Sequence, residues 1–219
     1  MSARDHEWLL AQGEEPPRAR PPLPRAAAEA AGRPTEADGE AGAVLGPCWA
    51  GIDPGAKGAI VVLDALGRCV LAWAADDLDA GYLRHDEVDG LAIAKRLRDL
   101  HARGPIVVAC LEIPLAPRAI GTSTALTIGQ RWGALEMALR FAGVPVQRVS
   151  PAKWSNAMLG KPPAGGWAGA KKDAACDLVA RTIPTVGLVL PRRHKRHDGL
   201  ADAALIAAWA RREWAEARP

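Results

Sequence analysis

Residues 48–74 read CWAGIDPGAKGAIVVLDALGRCVLAWA, and turn-forming residues divide this stretch into three short apolar runs. The first run ends at Asp53, and the second and third cover residues 58–64 and 68–74. Apolar runs of this length that are bounded by Gly, Pro and Asp are typical of β-strands. Because only short turns join them, the three strands are predicted to form an antiparallel meander.

Downstream of this meander, helix and strand patterns alternate. Strands are predicted over 105–113 and 144–150, and helices over 89–103, 123–143, 170–183 and 198–212. The order βββαβαβαα predicts an α/β fold with a five-stranded mixed sheet, antiparallel at one side and parallel at the other, flanked by helices on both faces. This is the arrangement of the ribonuclease H-like fold.

The N-terminal residues 1–47 differ in composition from the rest of the chain. Pro, Ala, Arg, Glu and Gly dominate this segment, and no periodic apolar pattern persists in it. Such a segment cannot bury enough apolar surface to offset its loss of conformational entropy, so we expect a disordered tail. The chain of 219 residues is therefore predicted to have one folded domain, residues 48–219, preceded by this tail.

No segment of the sequence predicts export or insertion into a membrane. The N-terminus lacks the apolar region of a secretory signal, and no apolar run approaches the roughly 18 residues of a membrane span. The four cysteines lie far apart without a CxxC pair, so they predict neither a zinc site nor disulfides. We therefore expect a cytoplasmic protein that contacts no membrane; a plastid location stays open for an algal source.

Charge is distributed unevenly along the chain. Residues 1–47 contain five arginines against eight acidic residues, whereas residues 144–219 contain thirteen Lys or Arg against six acidic residues. A local excess of positive charge favours binding to a polyanion such as nucleic acid, although many surface faces are basic for no such reason.

Four acidic residues lie where a hydrophobic core is predicted. Asp53 and Glu112 end apolar strands, and Asp198 and Asp202, four residues apart, continue the apolar stripe of the last helix. Carboxylates that are brought together away from water either take up protons or share cations. Clusters of carboxylate oxygens typically bind Mg²⁺ or Mn²⁺, and two such ions can promote hydrolysis of a phosphodiester.

Each of these acids also has an ordinary interpretation. An acid at the end of a strand is often a turn residue, and Asp198 is suited to be the N-cap of the last helix. The segment GIDPG, residues 51–55, also resembles the phosphate loops of actin-like ATPases. Those proteins need two such domains, and the folded part of this chain is too short for them.

Three segments together resemble the RuvC-type Holliday junction resolvases, with the phage and chloroplast branch as the nearest pattern. They are GIDPGAKGAIVVLD, LEIPLAPRAIGTSTALTIGQRWGALEMAL and HDGLADAALIAAWARR, and the resemblance covers residues 50–212. It implies a two-metal nuclease site formed by Asp53, Glu112, Asp198 and Asp202, with two Mg²⁺ ions for which Mn²⁺ can substitute. Many bacterial members space the final pair by three residues rather than four, so the role of Asp198 is less secure than that of Asp202.

The resemblance also implies basic residues that bind DNA. Lys153, Lys171 and Lys172 lie in segments that match lysines near the scissile phosphate, and Lys172 is assigned a catalytic role; the alternative is ordinary surface lysines. Further DNA contacts are predicted at Arg118 and, in the loop 192–197, at Arg192, Arg193, Lys195, Arg196 and His197. Bacterial members often carry an aromatic residue at the position of Leu115, so the way this protein opens a junction is left undetermined.

The predicted function is a metal-dependent endonuclease that resolves four-way DNA junctions as a homodimer. The long helix 123–143 is the predicted dimer element, because its small residues allow two helices to approach closely. These residues are Gly129, Gly133, Ala134 and Ala138; alternatively, they pack against the protein's own sheet. Two other functions stay open: a ribonuclease H-fold nuclease that acts on RNA or single strands, and a non-catalytic relative that only binds junctions.

Overall fold

The structure, a computed structural model, describes residues 45–77, 80–84, 87–114, 121–162, 166–167 and 170–215. In chain order its elements are β1 (Cys48–Asp53), β2 (Ala59–Leu63), β3 (Cys69–Ala74), β4 (Leu83–Arg84), β5 (Glu87–Val88), α1 (Gly90–Arg103), β6 (Ile106–Glu112), α2 (Thr122–Phe141), β7 (Val146–Val149), α3 (Pro151–Leu159), α4 (Lys171–Thr182) and α5 (Asp198–Trp214). A single 3₁₀ turn, Pro184–Val186, follows α4.

Five of these strands form one mixed sheet in the order β3-β2-β1-β6-β7. β1 pairs antiparallel with β2, and β2 pairs antiparallel with β3. β1 and β7 both pair parallel with β6. The predicted mixed sheet, antiparallel at one side and parallel at the other, is therefore confirmed, while β4 and β5 form a separate small hairpin.

The sheet separates two apolar cores. Alternate residues of β1 point to opposite faces, as the period of a strand requires. Trp49 joins the core under α5, whereas Ala50 and Ile52 join the core under α1 and α2. α5 has buried residues around most of its circumference, because the sheet lies on one side of it and α3 and α4 contribute to the same core. No helix in the described part of the chain is long and apolar enough to cross a membrane.

Helix α3 was not predicted from the sequence. The sequence does contain the usual residues at the two ends of this helix. Ser150 stands at the N-cap position, Pro151 is the first helical residue, and Gly160 ends the helix with a φ of 84°. Its nine residues are too few to show a helical apolar period convincingly.

The predicted tail lies almost entirely outside the described residues, which begin at Leu45. The Leu45 N–H donates to the carbonyl of Arg103 at 2.7 Å, and the Leu45 side chain packs against the core under α1. The chain therefore contacts the folded domain three residues before the predicted boundary at residue 48.

Candidate active site

The first two candidate acids lie side by side at one edge of the sheet. Asp53 is the last residue of β1 and Glu112 is the last residue of β6. These strands are parallel neighbours with Ile52 opposite Leu111, so both strands deliver their terminal acid to the same edge. The loop after β1 turns back at once, and the Gly55 N–H donates to Asp53 Oδ1 at 2.9 Å.

Helix α5 begins beside the loop that follows β1. A Cβ atom on Gly199 would lie 1.8 Å from the carbonyl oxygen of Lys57, so the first turn of α5 lies directly on this loop. The N-cap of α5 is His197, whose Nδ1 accepts from the Leu200 N–H at 3.0 Å. The alternative interpretation of Asp198 as the N-cap is therefore wrong, and Asp198 is the first residue of the helix.

The electrostatics of Asp53, Glu112 and Asp202 indicate a cluster of carboxylates withdrawn from water. Burial, reinforced by the charges of the other three acids, raises the pKa of Asp53 to about 7. Burial and the charge of Asp202 raise the pKa of Glu112 to about 7, against a hydrogen bond that lowers it. Burial and the charge of Asp198 raise the pKa of Asp202 to about 6. Asp53 is thus affected by the other three acids, Glu112 by Asp202, and Asp202 by Asp198.

Two lysines of α4 reach these acids. Lys172 forms an ion pair with Asp198. Burial raises the pKa of Asp198, but the hydrogen bond and charge of Lys172 outweigh that effect, and the net pKa of Asp198 is lowered. The charge of Lys171 lowers the pKa of both Glu112 and Asp202. The first turn of α4 therefore brings positive charge to the cluster, and its role in binding phosphate stays a prediction.

Two tryptophans hold Glu112, and the sequence analysis missed both. The Trp154 indole N–H, on α3, donates to Glu112 Oε2 at 2.5 Å. The Trp132 indole N–H, on α2, donates to the main-chain carbonyl of Glu112 at 2.9 Å. Trp154 is next to Lys153, which the sequence analysis had singled out, but nothing local indicates that its ring reaches a strand 42 residues away.

The donor set of the cluster fits a divalent cation in chemistry. Asp53, Glu112 and Asp202 are half-buried carboxylates with raised pKa values, and hard cations prefer carboxylate oxygens. As the side chains stand, however, no three His, Cys, Asp or Glu residues among those described are grouped closely enough to hold a metal ion. The Asp198 carboxylate pairs with Lys172, and the Glu112 carboxylate accepts a hydrogen bond from Trp154. Because like charges repel, these two acids bind partners other than a shared cation.

Two of the predicted DNA-binding lysines lie over buried indoles. Lys171 Nζ is 4.7 Å from the centre of the Trp154 ring, and Lys153 Nζ is 5.4 Å from the centre of the Trp209 ring. A cation over an indole face is held electrostatically at little desolvation cost. Both ammonium groups are therefore positioned by aromatic faces.

Acidic residues position the basic loop 192–197. Arg193 lies 3.8 Å from Asp76, and Arg196 pairs with Asp177 on α4. Both arginines are exposed to solvent, so each pair contributes little to stability. The other two basic residues predicted to bind DNA in this loop, Arg192 and Lys195, are exposed.

His197 differs from the other residues of this loop. Its side chain is 7% exposed, its Nδ1 accepts from Leu200, and its Nε2 lies 2.7 Å from Asp76 Oδ1. Both ring nitrogens are engaged within the protein, so the predicted DNA contact of His197 would require one of these hydrogen bonds to break. Arg118 and Leu115 lie outside the described residues.

The raised pKa values predict an unusual pH dependence of stability. Because their folded-state pKa values exceed the ordinary values near 4, Asp53, Glu112 and Asp202 bind more protons in the folded than in the unfolded protein between about pH 4 and 7. Their contribution to the unfolding free energy therefore falls as pH rises through this window. We expect the wild type in EDTA to lose more stability between about pH 5 and 7.5 than the double variant Asp53→Asn/Glu112→Gln.

Urea unfolding of both proteins at both pH values measures this difference. The double variant serves as the control for every other titrating group, among them Glu136, whose pKa two arginines lower. Equal pH dependence of the two proteins would contradict the raised pKa values.

The sheet order and the flanking helices define a ribonuclease H-like α/β fold, and solved structures of RuvC have the same fold. Thermus thermophilus RuvC in complex with a Holliday junction substrate is 20% identical, with a TM-score of 0.50 over 78% of this chain and 96% of that chain. Thermus thermophilus RuvC in a second structure is 22% identical, with the same TM-score and coverage. At these identities the comparison establishes the fold.

A third structure, the yeast mitochondrial Holliday junction resolvase Ydc2, is 16% identical over 82% of this chain and 83% of that chain, with a TM-score of 0.46. No protein-family model and no curated protein sequence matches the chain.

Proposed function

We propose that this protein is a metal-dependent endonuclease that resolves four-way DNA junctions by hydrolysis of phosphodiester bonds. The observation that carries the proposal is the convergence of Asp53, Glu112 and Asp202, three half-buried carboxylates with raised pKa values, on one edge of a RuvC-like sheet. Such a cluster does not stabilise a fold, since desolvation of the carboxylates and repulsion between them both lower the stability of the folded protein. A similar fold has been solved with a Holliday junction, which supports the choice of substrate.

In this proposal the four acids hold two Mg²⁺ ions, or Mn²⁺ in their place. When bound, the ions supply positive charge that activates water for attack on phosphorus and stabilises the leaving oxygen. Asp198 joins the other acids only when its ion pair with Lys172 opens. The released Lys172 ammonium then pairs with a phosphate oxygen of the DNA, so the same residue exchanges one anion for another.

The remaining basic residues bind the DNA backbone. Lys171 and Lys153 lie over indoles of the core under α5, and the loop with Arg193 and Arg196 precedes the first turn of α5. Ammonium and guanidinium groups bind phosphates without reading sequence, so these contacts orient the DNA relative to the acids. Arg118, Arg192 and Lys195 are proposed to extend this surface.

Paired cleavage of a junction needs two active sites related by a twofold axis, so we propose a homodimer. One face of α2 carries exposed apolar side chains: Leu126 is 60% exposed, Met137 is 49% exposed and Phe141 is 66% exposed. Gly129 and Gly133 lie on this side of the helix, and a Cβ on either would meet nothing within 4 Å. A second copy of α2 is the proposed occupant of this face.

The small residues of α2 thus divide into two groups. Ala138 is buried and lies close to Gly90 of α1, so it packs within the protomer. Gly129, Gly133 and Ala134 are exposed or half-buried, and they stay available for contact with a second copy.

Met137→Glu is expected to convert the dimer to a monomer and to lower the rate of paired junction cleavage at least tenfold, because it places a charge in an apolar interface. Size-exclusion chromatography with light scattering and single-turnover cleavage measure the two effects. Leu66→Glu is the matched control, since Leu66 is 74% exposed in the turn between β2 and β3, away from α2. A fully dimeric Met137→Glu protein would exclude α2 as the dimer element.

The proposed activity is tested by cleavage of labelled four-way, three-way, duplex and single-stranded substrates, with Mg²⁺ and with EDTA. We expect Mg²⁺-dependent cleavage of the four-way junction in preference to the other substrates. Cleavage mainly of RNA or single strands would favour another ribonuclease H-fold nuclease. Tight junction binding without cleavage in Mg²⁺ or Mn²⁺ would favour a non-catalytic binding protein.

A further inference from the structure

Among the described residues, the Trp154 side chain contacts both an acid and a lysine of the candidate site. Its indole N–H donates to Glu112 Oε2, and its ring face lies under Lys171 Nζ at 4.7 Å. The side chain is fully buried in the core under α5, so its position is set by packing. α3, which carries it, follows directly from β7, the neighbour of β6 in the sheet.

A hydrogen bond to one carboxylate oxygen restricts rotation about the last side-chain bond of Glu112. The second oxygen is thereby held in one position, while the Trp132 indole fixes the carbonyl of the same residue. The donor is neutral, so it orients the carboxylate without cancelling the charge that a cation needs. A lysine in this place would compete with a metal ion for the acid, as Lys172 does for Asp198.

The ring face of Trp154 performs a second task. It holds the Lys171 ammonium near Glu112 and Asp202, and the charge of Lys171 lowers the pKa of both carboxyl groups. The lysine is therefore held near the acids by an uncharged surface. One rigid side chain thus fixes the relative positions of an acid and of a phosphate-binding cation.

We propose that Trp154 is a positioning residue of the candidate metal centre, orienting the Glu112 carboxylate through its indole N–H and the Lys171 ammonium through its ring face. The proposal rests on the proposed function, in that the centre it positions is the one assigned there to metal binding.

The test replaces Trp154 by Phe, which keeps an aromatic face for Lys171 but removes the N–H donor. Trp49→Phe is the matched control. Trp49 is buried in the same core, and its indole N–H makes no hydrogen bond within the described residues. Both variants lose the same atoms from one core, so they differ in the two contacts that Trp154 makes, the hydrogen bond to Glu112 and the ring contact with Lys171. Each variant is compared with wild type for urea stability, Ca²⁺ binding by calorimetry and single-turnover junction cleavage.

We expect Trp154→Phe to weaken Ca²⁺ binding by about 10- to 100-fold, as is typical for partners of metal ligands. The cleavage rate at subsaturating Mg²⁺ should fall by a similar factor and recover in part when Mg²⁺ is raised. Trp49→Phe should bind Ca²⁺ and cleave within about twofold of wild type. Equal Ca²⁺ affinity in Trp154→Phe and wild type would overturn the proposal.

The indole N–H resonances in ¹⁵N-labelled protein supply a readout that needs neither metal nor activity. The Trp154 signal should shift in Glu112→Gln, where its charged acceptor is lost, whereas the Trp49 signal should not. An unmoved Trp154 signal would overturn the proposal even if Trp154→Phe does not fold. If wild type neither binds Ca²⁺ nor cleaves, the proposed function fails, and a shifted Trp154 signal would then leave Trp154 as a structural partner of Glu112 only.

Discussion

We expect Asp53→Asn and Glu112→Gln each to lower the single-turnover rate of four-way junction cleavage by at least about 100-fold, which corresponds to roughly 2.7 kcal/mol of transition-state stabilisation. Each change removes one negative charge from the cluster and keeps the shape of the side chain. Because both acids are proposed to hold the same pair of cations, losing either charge weakens metal binding and catalysis together. Asp202→Asn is expected to behave in the same way.

Junction binding in Ca²⁺ or EDTA should persist in these variants and become tighter in EDTA, since the carboxylates repel the phosphate backbone when no cation is bound. Measuring affinity beside the rate separates a chemical defect from a binding defect.

Asp64→Asn is the matched control for both variants. Asp64 also follows an apolar strand, β2, and is buried, but its oxygens accept from the main-chain N–H groups of Leu66 and Arg68 and pair with the Arg68 guanidinium. It is an ordinary turn acid, so its replacement should cost stability and leave the cleavage rate per folded molecule unchanged. Near wild-type rates in Asp53→Asn and Glu112→Gln would exclude the two-metal site while leaving the fold intact.

Gly51→Ala is expected to destabilise the domain by about 3 kcal/mol or more, or to prevent its folding. Gly51 lies in the middle of β1, where α5 crosses the sheet, and a Cβ there would stand 2.1 Å from the Ala203 carbonyl oxygen and 2.3 Å from the Ala207 nitrogen. Both contacts are with backbone atoms, which cannot move away by a change of rotamer as the end of a long side chain can. The strand and α5 therefore have to separate.

Urea unfolding measures this loss, and Gly46→Ala is the control. A Cβ on Gly46 meets nothing within 4 Å, so that substitution should change stability by less than about 0.5 kcal/mol. Because α5 carries Asp198 and Asp202, any folded fraction of Gly51→Ala should also cleave more slowly. A Gly51→Ala protein as stable as wild type would mean that α5 does not lie this close to β1.

The sequence predicted the order and type of the main elements because their signals are local. The apolar runs around Asp53 and Glu112 have the length and composition of buried strands, and Gly and Pro mark where they end. The ends of β1 and β6 agree with prediction to within one residue. The parallel pairing of these two strands, which brings their terminal acids to one edge, comes from the structure.

Other acids with the same local pattern have different roles, and the sequence could not separate them. Asp64 ends its apolar run just as Asp53 does, yet it caps the turn that follows the last residue of β2. Asp53 lies beside the first residue of that strand, Ala59. The difference is topological: β2 is antiparallel to β1, so its final residue lies at the far edge of the sheet from the cluster. A resemblance to a known family selected Asp53 where composition and spacing did not.

The sequence by itself determined the five strands of the main sheet and four of the five described helices, since each depends on neighbours a few positions away. Only the tertiary structure decided that His197 rather than Asp198 caps α5, that Lys172 pairs with Asp198, and that the Trp154 indole holds Glu112. The two side-chain partnerships join residues 26 and 42 positions apart. Contacts over such separations arise from the packing of whole elements, and no periodicity along the chain encodes them.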